Sequence, residues 1–454
     1  MRRFGNALAA FSTRWVPDAF VFAIVLTGLV VGLALLLTDR TSMELVGDWY
    51  GGFWGLLEFG MQMTLVLVTG YALASSPPAR RAIVAVAGLA RGPLSAVVVT
   101  ALGAALLGIV HWGLGLIAGA LLAVEVARSC KERGIRVHFP LLAAGGYTGL
   151  MVWHSGLSGS APLLVNTPGH FLEDEIGLIP LSETVLQPFN LVFLVAMLVG
   201  APLLLMSMHP KGEDSEEIGG TGDDEDGPGT GGAGAGRPTR TQLRALSPAQ
   251  RLMHSRVLVY AVVALGLVHL VPALVVDGIV GMDINLLNFT FLIAGLALHG
   301  TLAQYSAAAA EGAKNAAAVI VQFPFYAGIM GIMESSGLLG VITQWFIDVS
   351  SPASYPFWAL ISASLVNLVV PSGGGQWAVQ GPVVIGATES LGIDPGVGVT
   401  AVAMGDQLTN GIQPFWALPL LALTKLRAGK VLGYSAVVML FGILVASLSI
   451  TFLA

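Results

Sequence analysis

Each half of this chain contains two long apolar stretches that are interrupted by glycine, proline and small polar residues, and the interruptions recur in the same order at similar spacing. His111-Trp-Gly-Leu-Gly115 is followed, 40 residues after Gly115, by Ser155-Gly-Leu-Ser158. In the second half, Val370-Pro-Ser-Gly-Gly-Gly375 is followed, 35 residues after Gly375, by Asn410-Gly-Ile-Gln413. A helix broken in this way frees backbone N–H and C=O groups, which in lipid cost several kcal/mol each if left unpaired. The breaks must therefore be buried in protein or line a watery cavity.

Lipid is the relevant solvent. The 454 residues are 55% hydrophobic and 11% charged, with a mean hydropathy of +0.79, against roughly 45–50% and 25% in soluble domains. Apolar runs at 19–37, 53–74, 186–208, 257–276 and 434–453 match the roughly 20 residues a crossing helix needs, and show none of the alternation of barrel strands. The first run exceeds a usual signal-peptide core and no small-x-small cleavage site follows it, so it is expected to stay. The lone Cys130 excludes an intrachain disulfide or a multi-thiolate metal site. The net charge of −6 lies mostly in one linker and no basic stripe is present, so nucleic acid is not an expected partner.

Basic residues resist translocation and mark the cytoplasmic side. Arg2, Arg3 and Arg14, then Arg80, Arg81 and Arg91, then Arg128, Lys131, Arg133 and Arg136, then the six from Lys211 to Arg256, then Lys314, and finally Lys425, Arg427 and Lys430 can all lie inside, leaving Arg40 outside. Residues 94–126 are basic at both ends and short for two crossings, which predicts a re-entrant hairpin from the cytoplasm. Residues 356–387 are flanked by Asp348, Glu389 and Asp394 and predict a hairpin from outside. The expected fold is an all-α polytopic membrane protein with inverted repeats, each carrying a re-entrant hairpin and a broken transmembrane helix. Residues 1–208 form the first repeat, with an interfacial helix near Phe4–Trp15 and a broken helix at 139–168. Residues 209–255 form a disordered, acidic, glycine-rich cytoplasmic linker. Residues 256–454 supply a linking helix and the inverted second repeat, with its broken helix at 398–424. This gives an expected orientation with the N-terminus cytoplasmic and the C-terminus outside. Related halves of opposite orientation with breaks at membrane depth are how secondary transporters build a site.

The residues at the breaks suit a small anion. His154, Ser155, Ser158 and Ser160, with Asn166 and Thr167, offer donors around the first broken helix, as Thr409, Asn410 and Gln413 do around the second. At the hairpin tips, His111, Trp112, Gly113 and Gly115, and Ser372, Gly373, Gly374, Gly375 and Gln376, would present helix N-terminal amides. No Lys or Arg falls within a predicted span, which favours a monoanion over a dianion, and Trp112, Trp153, Trp377 and Trp416 suit a short alkyl chain. Asp406 is an acid inside a span and the candidate for coupling to an ion; Glu58 and Glu334 are secondary candidates. No cofactor or bound metal is expected beyond a transported Na+ or H+.

These motifs carry a resemblance. His111-Trp-Gly-Leu-Gly115, Trp153-His-Ser-Gly-Leu-Ser-Gly-Ser160 with Asn166-Thr-Pro-Gly-His170, and above all Val370-Pro-Ser-Gly-Gly-Gly-Gln-Trp377 resemble the bacterial short-chain fatty acid transporter family over all but the linker. The resemblance implies uptake of acids such as acetoacetate and butyrate, a place in the inner membrane of a prokaryote and membership of the ion transporter superfamily. The divalent anion/sodium symporters of that superfamily carry Ser-Asn-Thr tips, are dimers and move a transport domain like an elevator. Here the tips read His-Trp-Gly and Pro-Ser-Gly, so the placement fits while sodium coordination and dicarboxylate binding are not carried over.

The expected function is thus a cation-coupled, elevator-type carrier of short-chain monocarboxylates, a homodimer in the bilayer. Other readings are a carrier of another organic anion such as a dicarboxylate, a channel, or an intramembrane hydrolase or acyltransferase using Ser158 or Ser155 beside His154. The last lacks both the final glycine of G-x-S-x-G and its strand-turn-helix setting, and gives no reason for a second copy of the device.

Overall fold

A computed structural model describes residues 19–210, 215–219, 246–276, 278–368 and 370–454. The described residues are helical with no strand. Six helices among them are long and apolar enough to cross a membrane: Leu57–Ala74, Pro93–Val110, Trp112–Glu132, Pro188–Ser207, Arg256–Val276 and Ala428–Leu453. A bent pair, Leu302–Lys314 and Val319–Ser335, makes a seventh. The predicted interfacial helix at Phe4–Trp15 lies outside the described residues.

Each half runs through the same series. A long helix (Leu57–Ala74; Leu302–Ser335) precedes a shorter one (Pro77–Ala87; Leu338–Val349). A hairpin follows (Pro93–Val110 with Trp112–Glu132; Tyr355–Asn367 with Gly373–Ser390), then a broken helix and a last long helix (Pro188–Ser207; Ala428–Leu453). The first hairpin is longer than the 94–126 read from sequence, because helix continues to Glu132; each arm is long enough by itself for a crossing.

Local chemistry sets the breaks. His111 is extended (φ −162°, ψ 126°) and its Nδ1 accepts the Gly113 N–H at 3.0 Å, capping the second arm. In the second hairpin Pro371 supplies no N–H, and Ser372 Oγ caps the new helix by accepting the Gly375 N–H at 3.3 Å. The first broken helix runs from Phe139 to Tyr147, tightens into 3₁₀ turns at Thr148–Met151 and Trp153–Ser155, and resumes at Ser160–Val165. The second runs from Pro395 to Thr409, passes a 3₁₀ turn at Asn410–Ile412 and resumes at Pro414–Thr424.

Packing divides the molecule. Leu302–Ser335 packs with Ser42–Gly52 and Leu57–Ala74, and Leu57–Ala74 with Ile284–His299, while the hairpins and broken helices pack with one another and with the last long helices; the two groups meet where Leu57–Ala74 touches Trp112–Glu132 and Leu302–Ser335 touches Gly373–Ser390. In lipid, helices associate through close packing rather than expulsion of water, so small residues gather where backbones meet. A Cβ on Gly108 would lie 2.4 Å from the Gly149 carbonyl oxygen, and one on Gly119 would lie 2.3 Å from that of Gly146. The first hairpin and the first broken helix thus touch backbone to backbone.

The linker departs from expectation in part. Its Asp223–Asp226 and Gly229–Gly236 runs lie outside the described residues, but Ser215–Gly219 is docked and Pro248–Met253 is helical. The Phe139 N–H donates to Glu216 O (2.8 Å), the Glu216 N–H donates to His138 Nδ1 (3.0 Å), and Lys131 Nζ donates to Ile218 O (3.0 Å). Arg136 pairs with Glu217 at 2.8 Å, and Lys430 pairs with Glu216. Composition argues against a core here, yet backbone bonds and cations on neighbouring elements hold the strap. Partly exposed pairs contribute only ~0–1 kcal/mol each. Replacing both Glu216 and Glu217 by Gln is therefore expected to speed proteolytic cleavage at 215–219 a few-fold, and raised salt should do the same to the unmodified chain.

Candidate functional site

Each hairpin tip is sewn to the break of its own half. The Leu157 N–H donates to Ile109 O at 2.7 Å and the Trp112 N–H donates to Ser158 Oγ at 2.9 Å, so the first break satisfies the groups freed at the first tip. In the second half, Asn367 Nδ2 shares its two hydrogens among Asp406 O (2.8 Å), Thr409 Oγ1 (2.9 Å) and Asn410 Oδ1 (3.0 Å), while Gln413 Nε2 donates to Asn367 O (2.7 Å).

The two breaks are then tied to each other. Gln407 Oε1 accepts the N–H groups of His154 (2.9 Å) and Ser155 (3.1 Å), and its Nε2 donates to Ser155 Oγ (2.6 Å). Tyr147 Oη lies 2.8 Å from Asn410 O and 3.0 Å from Gln413 O. His154 Nδ1 lies 2.9 Å from Asp406 Oδ2, both side chains being almost fully buried.

Between them lies a pocket with an empty volume of about 440 Å³, its mouth included. Trp112 comes from the first tip; Leu150, Trp153 and Ser160 come from the first break; Ser372, Gly373 and Gly374 come from the second tip; Asn410 and Trp416 come from the second break. Met63, Val319 and Phe323, from the two long helices that precede the hairpins, complete the wall. No Lys, Arg, Asp or Glu lines it among the described residues. Three buried donors on the lining have no partner among the described residues: Ser160 Oγ, Trp112 Nε1 and Trp153 Nε1. Buried polar groups are nearly always paired, so this set is available to a ligand's acceptor.

Other residues singled out from sequence support the site from a distance. His111 is fully buried, bonded through Nε2 to Val66 O at 3.1 Å and packed on Phe291. Gly113 takes the His111 cap, and Gly115 packs against Gly108. Ser155 and Ser158 are committed to the bonds above. Gly375 packs on Tyr326, and Gln376 Nε2 bonds Ala363 O and Gln380. Thr409 and Gln413 hold the second break to Asn367. Asn166 and Thr167 lie apart: Asn166 Nδ2 donates to Val280 O and Met282 O, and Thr167 Oγ1 accepts the Ile284 N–H. Thr167 and Glu58 line a second, separate pocket, and Glu334 is exposed at the end of its helix. Sequence reasoning passed over Gln407, Asn367 and Tyr147. The signal for Asn367 was a lone amide in the apolar run before Pro371.

The whole chain matches the family profile described as short chain fatty acid transporter, over residues 1–453. A relative from Escherichia coli (strain K12), for which the name short-chain fatty acid transporter has been proposed, is 40% identical over 440 residues, 97% of each chain. One from Haemophilus influenzae, with the same proposed name, is 36% identical over 448 residues, again 97% of each. The chain belongs to the short-chain fatty acid transporter family. The members of this family are transporters and not enzymes, which answers the hydrolase reading; Ser158 and Ser155 are engaged in holding the breaks. In fold, this family member resembles two solved transporters. The YdaH transporter of Alcanivorax borkumensis, described as having an unusual topology, superposes with a TM-score of 0.54 at 15% identity, covering 96% of this chain and 99% of that one. MtrF of Neisseria gonorrhoeae, described as one of a class of antimetabolite efflux pumps, gives a TM-score of 0.51 at 14% identity, covering 99% and 98%.

Proposed function

We propose that the chain is a secondary carrier of short-chain monocarboxylates such as butyrate or acetoacetate, and that the pocket between the two tips and two breaks is where the acid binds. The observation that carries this reading is the orphaned donor set. Ser160 and the indoles of Trp112 and Trp153, whose O–H and N–H groups have no partner among the described residues, share the lining with the apolar side chains of Met63, Leu150, Val319, Phe323 and Trp416 and with Ser372 and Asn410. Donors of this kind complement one carboxylate, and the apolar wall complements a short alkyl chain. A dicarboxylate is disfavoured, because the lining offers no second charged or cationic group.

The carrier works by alternating access, with the hairpins and broken helices moving as a body against the long helices that supply Met63, Val319 and Phe323. The division of packing supports this elevator-type motion, since the pocket lies on the seam between the two groups. Coupling to a cation and assembly as a homodimer are part of the same proposal and follow the resemblance to the superfamily. Orientation with the N-terminus in the cytoplasm is supported by Lys131, Arg136 and Lys430 gathering on one strap, while Arg40 bonds Ser335 O at the other end of the Leu302–Ser335 helix.

The test is counterflow of labelled butyrate in liposomes holding the purified protein. A hydrogen bond to a charged acceptor contributes about 1.5–3 kcal/mol, so Ser160→Ala and Trp153→Phe are expected to raise KM roughly 10- to 150-fold. Ser372→Ala and Asn410→Ala, which alter the tip and the break at the pocket wall, are expected to abolish uptake with expression intact. Wild-type kinetics in all four variants would remove this pocket from the transport path.

A further inference from the structure

One buried pair distinguishes between coupling ions. His154 Nε2 accepts the Ala161 N–H at 3.1 Å. A ring nitrogen that accepts carries no hydrogen, so His154 is neutral and its N–H sits on Nδ1, donating to Asp406 Oδ2 at 2.9 Å. The other carboxylate oxygen, Asp406 Oδ1, is buried and has no partner among the described residues, on a residue 1% exposed. An ionised carboxylate accepts about four hydrogen bonds and here receives one, so its charge is under-supported.

Among the described residues, the surrounding elements bring no second charged partner to this carboxylate. From the Tyr355–Asn367 arm, Asn367 bonds the Asp406 main-chain oxygen and not the carboxylate. Gln407 on its own helix is turned to the first break. Gln376 on the second hairpin bonds Ala363 and Gln380. His154 is the one titratable side chain recorded in contact with Asp406 among the described residues.

Resting on the carrier reading above, we propose that Asp406 Oδ1 is the proton site of a proton–monocarboxylate symport, with His154 as its positioning residue. A proton satisfies a single lone oxygen with one bond. A sodium ion needs a shell of several oxygens, and those nearby already accept hydrogen bonds: Asp406 Oδ2 from His154, while Asp406 O, Thr409 Oγ1 and Asn410 Oδ1 share the two hydrogens of the Asn367 amide.

The pair stands one ring behind the pocket. His154 stacks on Trp153, with centroids 4.3 Å apart and planes at 15°, and its Cε1 lies 3.0 Å from where a Cβ on Gly373 would sit. An ionised Asp406 therefore repels an incoming monoanion across a low-dielectric gap, and two carboxylates that share a site resolve the conflict when one takes a proton. Linkage is reciprocal: the proton raises affinity for the acid, and the acid raises affinity for the proton by the same factor. One O–H bond forms at Oδ1 with a proton from water on the open side, and the same bond breaks to water on the other side. Nothing is oxidised or reduced.

The experiment uses the full-length protein in liposomes with labelled butyrate under separately imposed proton and sodium gradients, and protein-free vesicles correct for diffusion of the neutral acid. An inward proton gradient is expected to drive accumulation at least ten-fold above the no-gradient level, with an internal dye reporting acidification, while a sodium gradient drives none. Asp406→Asn is expected to lose that accumulation and the pH dependence of its exchange. His154→Ala removes the donor that holds the carboxylate in place, and the pH profile of exchange should shift. His154→Gln, whose amide can donate, should move it back. Sodium-driven accumulation, counterflow indifferent to both gradients, or undiminished accumulation in Asp406→Asn would each overturn the proton assignment and leave the carrier standing. Absence of saturable counterflow of both butyrate and acetoacetate in the wild type would instead remove the carrier reading, and this inference with it.

Discussion

Replacing Gly108 with valine is expected to yield no folded protein. The first Cβ alone would lie 2.4 Å from the Gly149 carbonyl oxygen and 2.8 Å from its Cα, and Gly115 closes the third side of the contact. All three neighbours are backbone, so relief requires the first hairpin and the first broken helix to separate. Overpacking against side chains costs ~1–3 kcal/mol; here the whole interface that presents Trp112 and Ser160 to the pocket would be lost. Two comparisons isolate the cause. Gly103→Ala meets the Leu122 Cδ2 methyl at 2.6 Å, the movable end of a side chain, and should give a destabilised but folded protein. Gly28→Ala lies on an exposed helix face with nothing within 4 Å and should be tolerated. Fluorescence-detected size exclusion in detergent, followed by a melting curve, ranks the three. A monodisperse Gly108→Val protein would mean that the backbone contact is not required.

Gln407→Leu is expected to cut transport by more than ten-fold and to destabilise the protein by roughly 2–6 kcal/mol. The leucine fills the space but leaves two buried amides, those of His154 and Ser155, without their shared acceptor, and each such loss costs about 1–3 kcal/mol. The Ser155 hydroxyl loses its partner as well. Because these amides belong to the break that carries Trp153 and His154, the damage reaches the pocket and the Asp406 pair together. Thermal unfolding and butyrate counterflow measured on the same preparation check both parts. Retained uptake with a lowered melting temperature would separate the brace from the site.

Much of the architecture was legible because lipid makes backbone pairing obligatory. Runs of about twenty apolar residues could only be helices, and the clusters at His111, Ser155, Pro371 and Asn410 could only be breaks, which is where the structure has them. Residues such as Ser372, Ser160 and Asn410 were recognisable as lining candidates by their place in those breaks. The same reasoning could not sort lining from brace. Ser155, Ser158 and His111 look as suitable for a ligand as Ser160 does, yet each is already bonded within the protein. Asn166 and Thr167 follow the first break in sequence, but hold a connection to Ile284 instead. The strap at Ser215–Gly219 was hidden by its composition, since an acidic segment with Ile218 as its one apolar residue docks only when cations and amides from elsewhere are arranged to meet it.

By itself, the sequence determined the solvent, the helices, their two-fold recurrence and the positions of the breaks, all of which follow from local chemistry and the cost of an unpaired peptide group in hydrocarbon. Only the tertiary structure decided which freed groups pair with one another. Gln407 finds the amides of His154 and Ser155, His154 finds Asp406, and Ser160, Trp112 and Trp153 are left with donors to spare. Those outcomes depend on distances of about 3 Å between residues some 250 positions apart, and no local pattern encodes the approach of two separate helices to hydrogen-bonding range.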